Sequence, residues 1–440
     1  MALPGRLALR TAPPGPATGW YPVARSAEVG TAPVPVGAGD RAYVVVRLRP
    51  GAEVTGFSPR CPHRLVPLAA GTVVDGRLQC PFHGWRFDAE GRCVEIPSLG
   101  TDGVAPPRAD LGAPWAVEER DGWVWVAPDR TSSLRPPRLG GAVPQPEPVP
   151  APPRPVGPVL GNLDPALDSA WHPVARADEV REGGYAQVRL LGRTWTVHRT
   201  GGQLSSVPPA WGVQERLGLI WLAPAEPADV PLDVPEDGDP RAVGAWLPGL
   251  RSSAPAGPLA DVLLDGTRAT SVPAGTAPGP LAVSETRLER EAGGFTGVRD
   301  EWSGEPGPDG GGRLLRRTTS VHRAPFQLMT RVEERDAGTV RTLLVLLQPE
   351  DADSTRVHTR VLLRGAGGAG VPPGALATAV AAQKAVLAED LALSALLTGS
   401  GLPLLMRDEL HVPADRLGVA LRLALADFVA AAGARLRASA

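Results

Sequence analysis

The sequence predicts an α+β protein in which short antiparallel strands outnumber helices. Short runs rich in valine and aromatic residues are bounded by glycine and proline, as in "AYVVVRLRP" and "GWVWVAP". Six further runs, between residues 284 and 365, alternate apolar and polar residues as the strands of an antiparallel sheet do. Two segments rich in Ala and Leu, near 375–397 and 414–436, have the composition of long helices that would pack over that sheet.

The composition limits the classes of function. The chain has 440 residues, of which 43% are hydrophobic and 21% charged, as in a soluble globular protein of several domains. Its formal net charge of -2 gives no electrostatic case for binding nucleic acid or an anionic membrane. No apolar run approaches the roughly 20 residues of a membrane helix, so we expect no membrane span. Residues 1–18 lack the apolar run of an export signal, which predicts a disordered leader and a cytoplasmic location.

All three cysteines lie in one stretch, "RCPHRLVPLAAGTVVDGRLQCPFHGWRFDAEGRC". Cys61 and His63 form a Cys-x-His pair, and Cys80 and His83 form a Cys-x-x-His pair after sixteen intervening residues. With so few cysteines and no export signal, a metal site is expected in place of disulfides. Four ligands of these types suit either zinc or an iron–sulfur cluster. The interleaved order fits two loops that each supply one thiolate and one imidazole.

The residues around these ligands carry a family resemblance. "CPHR", "CPFHGWRFD" and "GRCVEIP" closely resemble the Rieske domain of the Rieske non-haem iron oxygenases, over essentially all of residues 19–128. The resemblance implies a [2Fe-2S] cluster held by the thiolates of Cys61 and Cys80 and by the imidazoles of His63 and His83. In a Rieske centre two Cys hold one iron and two His hold the other. A structural zinc site is the alternative.

The resemblance also assigns roles to neighbouring residues. It implies that Pro62, Pro81 and Gly84 form the tight turns that close the two loops. Trp85 is similar to an aromatic residue that packs beside the cluster. We interpret Cys93 as a small core residue and not as a ligand.

An internal repeat follows this region. The segment "WYPVARSAEV" from Trp20 matches "WHPVARADEV" from Trp171 at 7 of 10 positions, and "WAVEERDGWVWVAP" from Trp115 matches "WGVQERLGLIWLAP" from Trp211 at 8 of 14. The two offsets are 151 and 96 residues, so the second copy is 55 residues shorter and lacks the whole cluster-binding segment. Residues 166–226 are therefore predicted to form a truncated Rieske-like β module without a cluster.

These observations predict five parts of the chain. They are a disordered leader (1–18), a Rieske [2Fe-2S] domain (19–128), a Pro-rich linker (129–165), the truncated module without a cluster (166–226), and an oxygenase catalytic-like domain of helix-grip type, with an antiparallel sheet and long helices (227–440).

The resemblance implies a second metal site, where the family holds a mononuclear iron with two His and one carboxylate. The matching segment is "ADVLLDGTRATSVPAGT", in which Asp265 keeps the position of the aspartate that bridges to the neighbouring subunit's cluster. Arg268 and Pro273 stand where the two His are expected. Proline has no side-chain donor atom, and arginine stays protonated with no lone pair to offer. The sequence therefore predicts that the mononuclear Fe(II) site is degenerate.

The carboxylate of that site has a candidate in the predicted helix near 375–397. The letters "AED" resemble the position of the family's carboxylate ligand, which makes Asp390 a candidate remnant of the iron site. The alternative is a solvent-facing Glu389–Asp390 pair.

The remaining histidines are interpreted as structural. In "GNLDPALDSAWH", His172 falls at the second histidine position of the iron motif, but Leu167 occupies the first, and the stretch overlaps the internal repeat. We therefore expect packing or loop roles for the five histidines outside the cluster segment: His172, His198, His322, His358 and His411.

Three functions remain open at this point. The favoured one is an oxidoreductase that resembles Rieske oxygenases, receives electrons through its cluster from a ferredoxin or flavin reductase, acts on or binds an apolar small molecule, and has lost its mononuclear iron ligands. The second is an active Rieske monooxygenase with unrecognised iron ligands. The third is a non-enzymatic binder of hydrophobic ligands with a redox-sensing cluster. The resemblance also implies a homotrimer.

Overall fold

The computed structural model describes residues 18–100, 102–131, 133–139, 143–152, 155, 157–265, 284–303, 314–334, 339–397 and 399–438. The chain forms two compact units, one of Met1–Pro97 and Asp102–Pro153, and the other of Ser98–Thr101 and Arg154–Ala440. The leader predicted from the sequence lies outside the described residues, apart from Thr18.

The first unit is built from short antiparallel strands. Strands β1, β10 and β9 form one sheet, β2, β3 and β4 a second, and β5, β6, β7 and β8 a third. Valines that alternate along β2, β3 and β10 fill the core. The strands are β1 (Tyr21–Arg25), β2 (Val34–Ala38), β3 (Arg41–Arg47), β4 (Val54–Phe57), β5 (Thr72–Val74), β6 (Arg77–Gln79), β7 (Arg86–Phe87), β8 (Cys93–Glu95), β9 (Ala116–Arg120) and β10 (Trp123–Ala127).

The second unit begins with strands that repeat part of this arrangement. Strands β12, β17 and β16 form one sheet and β13, β14 and β15 another, in the connectivity of the first two sheets above. Between β15 and β16 the chain has only residues 208–211, whereas between β4 and β9 it has residues 58–115. The strands are β11 (Val159–Gly161), β12 (His172–Arg176), β13 (Tyr185–Leu190), β14 (Arg193–Thr200), β15 (Gln203–Val207), β16 (Gly212–Arg216) and β17 (Leu219–Ala223).

The repeated strands agree in detail. Pro22 on β1 pairs with Trp125, and Pro173 on β12 pairs with Trp221, and in both pairs the register shifts after the proline. The indole N–H of Trp125 donates to the carbonyl oxygen of Arg120 at 3.2 Å, and that of Trp221 to the carbonyl of the matching arginine at 3.0 Å. The two copies therefore share strand pairing as well as sequence.

A large antiparallel sheet and three helices complete the described part of the second unit. The sheet has the order β18-β25-β24-β23-β22-β21-β20, with β19 also paired to β25, and helices α1, α2 and α3 pack on it. The elements are β18 (Ala242–Trp246), β19 (Leu250–Ser252), α1 (Ala256–Leu264), β20 (Arg287–Glu291), β21 (Gly294–Ser303), β22 (Leu314–Arg323), β23 (Gln327–Glu334), β24 (Thr339–Asp351), β25 (Ser354–Gly365), α2 (Ala375–Ser394), β26 (Gly401–Pro403) and α3 (Arg416–Ala438). The predicted α+β class is confirmed, and the two long predicted helices correspond to α2 and α3.

The domain boundaries differ from the sequence prediction in two places. Within the predicted linker, β11 pairs with β26, and the Glu147 carboxylate accepts the backbone N–H of Gly39 at 2.8 Å, so parts of 129–165 are bound to folded structure. The boundary between 226 and 227 does not separate compact units. Leu222 on β17, Val345 on β24 and Leu421 on α3 belong to one continuous apolar core, which holds these segments together.

Helix α3 contains a long apolar stretch. By length and composition alone, Pro413–Arg435 could cross a membrane, with a mean hydropathy of 1.7 over its most apolar window. Half of that window is buried, and α3 packs against α1 and β21. Arg422 in this helix is 1% exposed and forms an ion pair with Asp261 on α1 at 3.0 Å. These contacts are those of a core helix.

Candidate metal centre

The first Cys–His loop follows β4 and is closed by two backbone hydrogen bonds. The N–H of Cys61 donates to the carbonyl of Val66 at 3.0 Å, and the N–H of Leu65 donates to the carbonyl of Cys61 at 3.0 Å. Leu65 has a φ of 54°, which is uncommon for a residue other than glycine. This left-handed residue turns the chain back after His63.

The second loop lies between β6 and β7 and repeats the same turn. The N–H of Cys80 donates to the carbonyl of Trp85 at 2.8 Å, and the N–H of Gly84 donates to the carbonyl of Cys80 at 3.2 Å. Gly84 has a φ of +68°, so the predicted turn-forming role of this glycine has a conformational basis. Each loop therefore begins with its cysteine and reverses at a left-handed residue four positions later.

A substitution at Gly84 should destabilise the second loop. Gly84→Ala places a Cβ at a positive φ and 3.3 Å from Cγ of Pro97. The left-handed conformation should cost about 1–2 kcal/mol of unfolding free energy. Gly30→Ala is the matched control, because Gly30 has no positive φ and its added Cβ would meet nothing within 4 Å. Urea unfolding, followed by tryptophan fluorescence, measures the free energy of unfolding of each variant. Equal stabilities of the two variants would contradict the role given to this turn.

The structure brings the four predicted ligands together inside the first unit. Cys61, Cys80, His63 and His83 are 1%, 2%, 2% and 5% exposed. The two thiols share a hydrogen bond. The imidazole ring centroids lie 4.4 Å apart at an interplanar angle of 63°. The two Cys–His pairs, which are separated by 16 residues in sequence, are thus adjacent in space.

The electrostatic surroundings of the two sulfur atoms differ. The backbone N–H of His63 donates to the sulfur of Cys61, and the N–H groups of Phe82 and His83 donate to that of Cys80. The hydrogen bond from Cys61 lowers the pKa of the Cys80 thiol to about 7, whereas burial raises the pKa of Cys61 well above its usual value. Only the thiolate is a good metal ligand, so the donated N–H groups favour the form that binds metal, whereas burial opposes it at Cys61.

Aromatic rings cover the imidazoles. The Trp85 indole stacks on the His63 ring, with centroids 4.7 Å apart and planes within 9° of parallel. The Phe82 ring lies 4.0 Å from that of His83. Trp85 is 1% exposed, which agrees with its predicted place beside the imidazoles. Such a shell orients the ligands and limits the access of water to the site.

Cys93 is buried but makes different contacts. It is 8% exposed, and its thiol donates to the carbonyl oxygen of Glu95 at 3.9 Å. Burial raises the pKa of this thiol to about 12, which keeps it protonated at neutral pH. Its surroundings agree with the predicted role as a small core residue.

The donor set fits a [2Fe-2S] group. A Rieske centre uses two Cys on one iron and two His on the other, and these are the donors that the two loops bring together. Within the ranges that the structure describes, no three His, Cys, Asp or Glu side chains surround a common position for one ion. A Rieske centre does not require such a set, since each of its irons takes only two protein ligands.

The predicted bridging aspartate, Asp265, and the predicted remnant of the mononuclear iron site, Asp390, lie at the end of α1 and on α2 in the second unit. Asp265 directly follows α1 and caps its C-terminal end, with its backbone N–H donating to the carbonyl of Val262 at 3.2 Å. Asp390 is 6% exposed and lies on the buried face of α2, which packs against α1. The solvent-facing alternative is therefore wrong for Asp390, although Glu389 is exposed. Arg268 and Pro273 lie outside the described residues.

Three of the remaining histidines are buried, and each has a protein partner. His172, which falls at a histidine position of the iron motif, is 1% exposed, and its Nε2 lies 2.8 Å from the carbonyl oxygen of Leu167. This contact is that of a packing residue. Burial lowers the pKa of His172 to about 4, that of His322 to about 4 and that of His358 to about 3. His358 contacts the side chain of Gln348 at 2.8 Å.

The other two histidines also contact protein groups. The ring of His198 on β14 lies 5.9 Å from that of Tyr185 on the adjacent strand, and His411 lies 3.9 Å from the Glu409 carboxylate. The sequence reasoning missed the buried Asp261–Arg422–Glu409 cluster, in which the Arg422 guanidinium contacts both carboxylates. Nothing in the spacing of these residues could reveal it, because Asp261 and Arg422 are 161 positions apart.

Comparison with known families agrees with the site. Residues 19–108 match the Rieske [2Fe-2S] domain, and residues 297–431 match the vanillate O-demethylase oxygenase C-terminal domain. The fold and the donor set thus define a protein with a Rieske iron–sulfur domain, which implies a [2Fe-2S] cluster. Its homologues are Rieske non-haem iron oxygenases.

Individual relatives match over part of their length. Protein TIC 55 of Arabidopsis thaliana is 38% identical over 108 residues, which cover 24% of this chain and 20% of the relative. The oxygenase component of dicamba O-demethylase from Stenotrophomonas maltophilia is 34% identical over 125 residues, covering 28% and 34%. Methylxanthine N1-demethylase NdmA from Pseudomonas putida is 34% identical over 116 residues, covering 25% and 32%. The matches to these relatives thus span a fifth to a third of their length.

Proposed function

We propose that this protein is a Rieske oxygenase-like oxidoreductase that receives electrons from a ferredoxin or flavin reductase. The observation that carries the proposal is the convergence of Cys61, His63, Cys80 and His83 in two loops that are closed by the same pattern of backbone hydrogen bonds. A [2Fe-2S] group bound there supplies one-electron transfer. Neutral imidazole ligands and N–H groups donated to sulfur both favour a potential in the Rieske range of roughly -150 to +300 mV, which lies within reach of such donors.

The proposal includes the loss of the mononuclear iron site. Two carboxylates remain at the positions that the resemblance assigns to the bridging aspartate and the carboxylate ligand: Asp265 directly after α1, and Asp390 on the buried face of α2. The matching sequence positions of the two imidazoles hold Arg268 and Pro273, neither of which can donate a lone pair to ferrous iron. A protein of this kind passes its electrons elsewhere, to a partner or to a small molecule.

An apolar small molecule is the proposed ligand of the second unit. The large antiparallel sheet and the helices α1, α2 and α3 that pack on it share a core of leucine and valine side chains. The proposal that this scaffold binds such a molecule rests on the family resemblance. We further propose that residues 166–226 are a truncated copy of the Rieske domain with a structural role. The register and the tryptophan hydrogen bonds shared by β12–β17 and β1–β10 support this. A cytoplasmic location is also part of the proposal.

A reductive titration tests the electron-transfer function. We expect the oxidised protein to take up one electron per chain from dithionite, and to be reduced by a ferredoxin or flavin reductase with NAD(P)H as the source. The absorbance between 400 and 600 nm follows the reduction. Zinc in stoichiometric amount and no electron uptake would show that the four ligands hold a structural ion. Uptake from dithionite without reduction by any reductase would favour a redox-sensing cluster.

A further inference from the structure

A cavity in the second unit has a charged wall that none of the roles above uses. It has a volume of about 250 Å3 and lies where β12, β13 and β14 meet β19, β24 and β25. Arginines from three of these strands face it. The polar groups of the wall that matter here are those of Arg189, Thr194, Arg251, Gln348, Glu350 and Arg356.

Two guanidinium groups share one carboxylate at this wall. Glu350 is 2% exposed, and its oxygens lie 2.6 Å from Nε of Arg251 and 2.9 Å from Nε of Arg356. Since one buried carboxylate balances only one of the two cations, this corner keeps a positive charge. Glu179 also lines the cavity, but it is exposed to solvent and its carboxylate already accepts the backbone N–H of Arg176.

The same two arginines have N–H groups that donate no hydrogen bond to Glu350. Arg251 uses Nε and one terminal nitrogen on Glu350, and Arg356 uses Nε. For the described residues, no hydrogen bond is made by NH1 of Arg251 or by either terminal nitrogen of Arg356. Arg189 differs, because its Nε and NH2 donate hydrogen bonds to the Asp351 carboxylate at 2.9 and 2.7 Å. The unused N–H groups therefore belong to Arg251 and Arg356.

Size and chemistry restrict the ligand. The volume is below the roughly 300–1,000 Å3 of pockets for drug-sized molecules. Guanidinium groups bind carboxylate and phosphate oxygens with strong, charge-assisted hydrogen bonds. We propose that the cavity binds a small oxyanion, a carboxylate or phosphate group, at the terminal nitrogens of Arg251 and Arg356.

Isothermal titration calorimetry at constant ionic strength tests this. Inorganic phosphate is titrated in one arm and succinate in the other, with sodium chloride as the ionic-strength control. We expect saturable binding of one anion per chain in at least one arm, and the arm that binds identifies the source of the oxyanion. Arg356→Gln should weaken binding by about tenfold or more, because the substituted amide lacks a charged donor.

Two further variants keep the test decisive. Arg251→Gln changes a side chain that is 62% exposed, so it should fold even where Arg356→Gln does not, and it should weaken binding similarly. Arg241→Gln is the matched control, since Arg241 is also exposed and paired to one aspartate, but does not line the cavity. The Arg241→Gln variant should bind the anion with the same affinity as the unchanged protein. Absence of saturable binding in both arms, or equal affinity in Arg251→Gln and Arg241→Gln, would overturn the proposal.

Discussion

Replacement of His63 or His83 by alanine should abolish the EPR signal of the dithionite-reduced protein. The unchanged protein should give a rhombic signal with a low average g value, because imidazoles replace two thiolates on one iron. Each histidine is buried, and the rings lie 4.4 Å apart, so an alanine at either position leaves the buried site without one of its two imidazoles. Loss of either imidazole removes half of the protein ligands of its iron.

Cys93→Ala is the matched control for these variants. Cys93 is a buried cysteine of the same segment, and its thiol contacts the carbonyl of Glu95 in place of the two ligand thiols. Its removal should leave the signal unchanged and lower the free energy of unfolding by about 1 kcal/mol or less. A signal that survives both histidine variants but vanishes in Cys93→Ala would show that the ligand assignment is wrong.

The second expected result concerns the iron content. Anaerobically purified protein should contain two irons per chain, both removed when His63 or His83 is changed, and it should not couple the consumption of dioxygen to any apolar substrate. Non-haem oxygenases need two imidazoles and a carboxylate that leave open positions on ferrous iron. Asp390 supplies a buried carboxylate, but an aspartate alone is a poor ligand set for ferrous iron.

The double variant Arg268→His with Pro273→His provides the gain-of-function arm. If Asp390 is correctly assigned, this variant should bind a third iron, measured by plasma emission spectrometry after desalting. Asp390→Asn in the same background should lose that iron and serves as the control. A third, tightly bound iron in the unchanged protein, retained when His63 and His83 are mutated, would instead identify an active oxygenase with other ligands.

Local chemistry explains what the sequence could predict of the metal centre. Both ligand pairs lie within short loops, where each Cys is followed by a proline and precedes its His by two or three positions. The turn at Gly84 could be recognised from the sequence because a left-handed backbone conformation favours glycine. Leu65 takes the same conformation at φ 54° without any such residue preference, so the shared geometry of the two loops was visible only in the structure.

The iron motif shows where sequence reasoning needs the fold. The letters of "GNLDPALDSAWH" offered Asp164 and His172 as a partial match, and both Leu167 at the first histidine position and the overlap with the repeat argued against it. In the structure Asn162 is 1% exposed and its amide binds the carbonyl oxygens of Asp351 and Ser354, while its side-chain oxygen accepts the N–H of Ala256 at the start of α1. It is a structural link between the large sheet and that helix.

The sequence by itself determined the α+β class, the two Cys–His pairs, the repeat of residues near 20 and 171, and the absence of imidazole at positions 268 and 273. These properties depend on residue type and on spacing along the chain, which a sequence states directly. The tertiary structure decided that Asp390 is buried, that the second module shares its core with the large sheet, and that Arg251 and Arg356 meet on Glu350. The reason is physical: burial and contacts across about 100 residues or more arise from packing of separate elements, and no local pattern encodes which elements will meet.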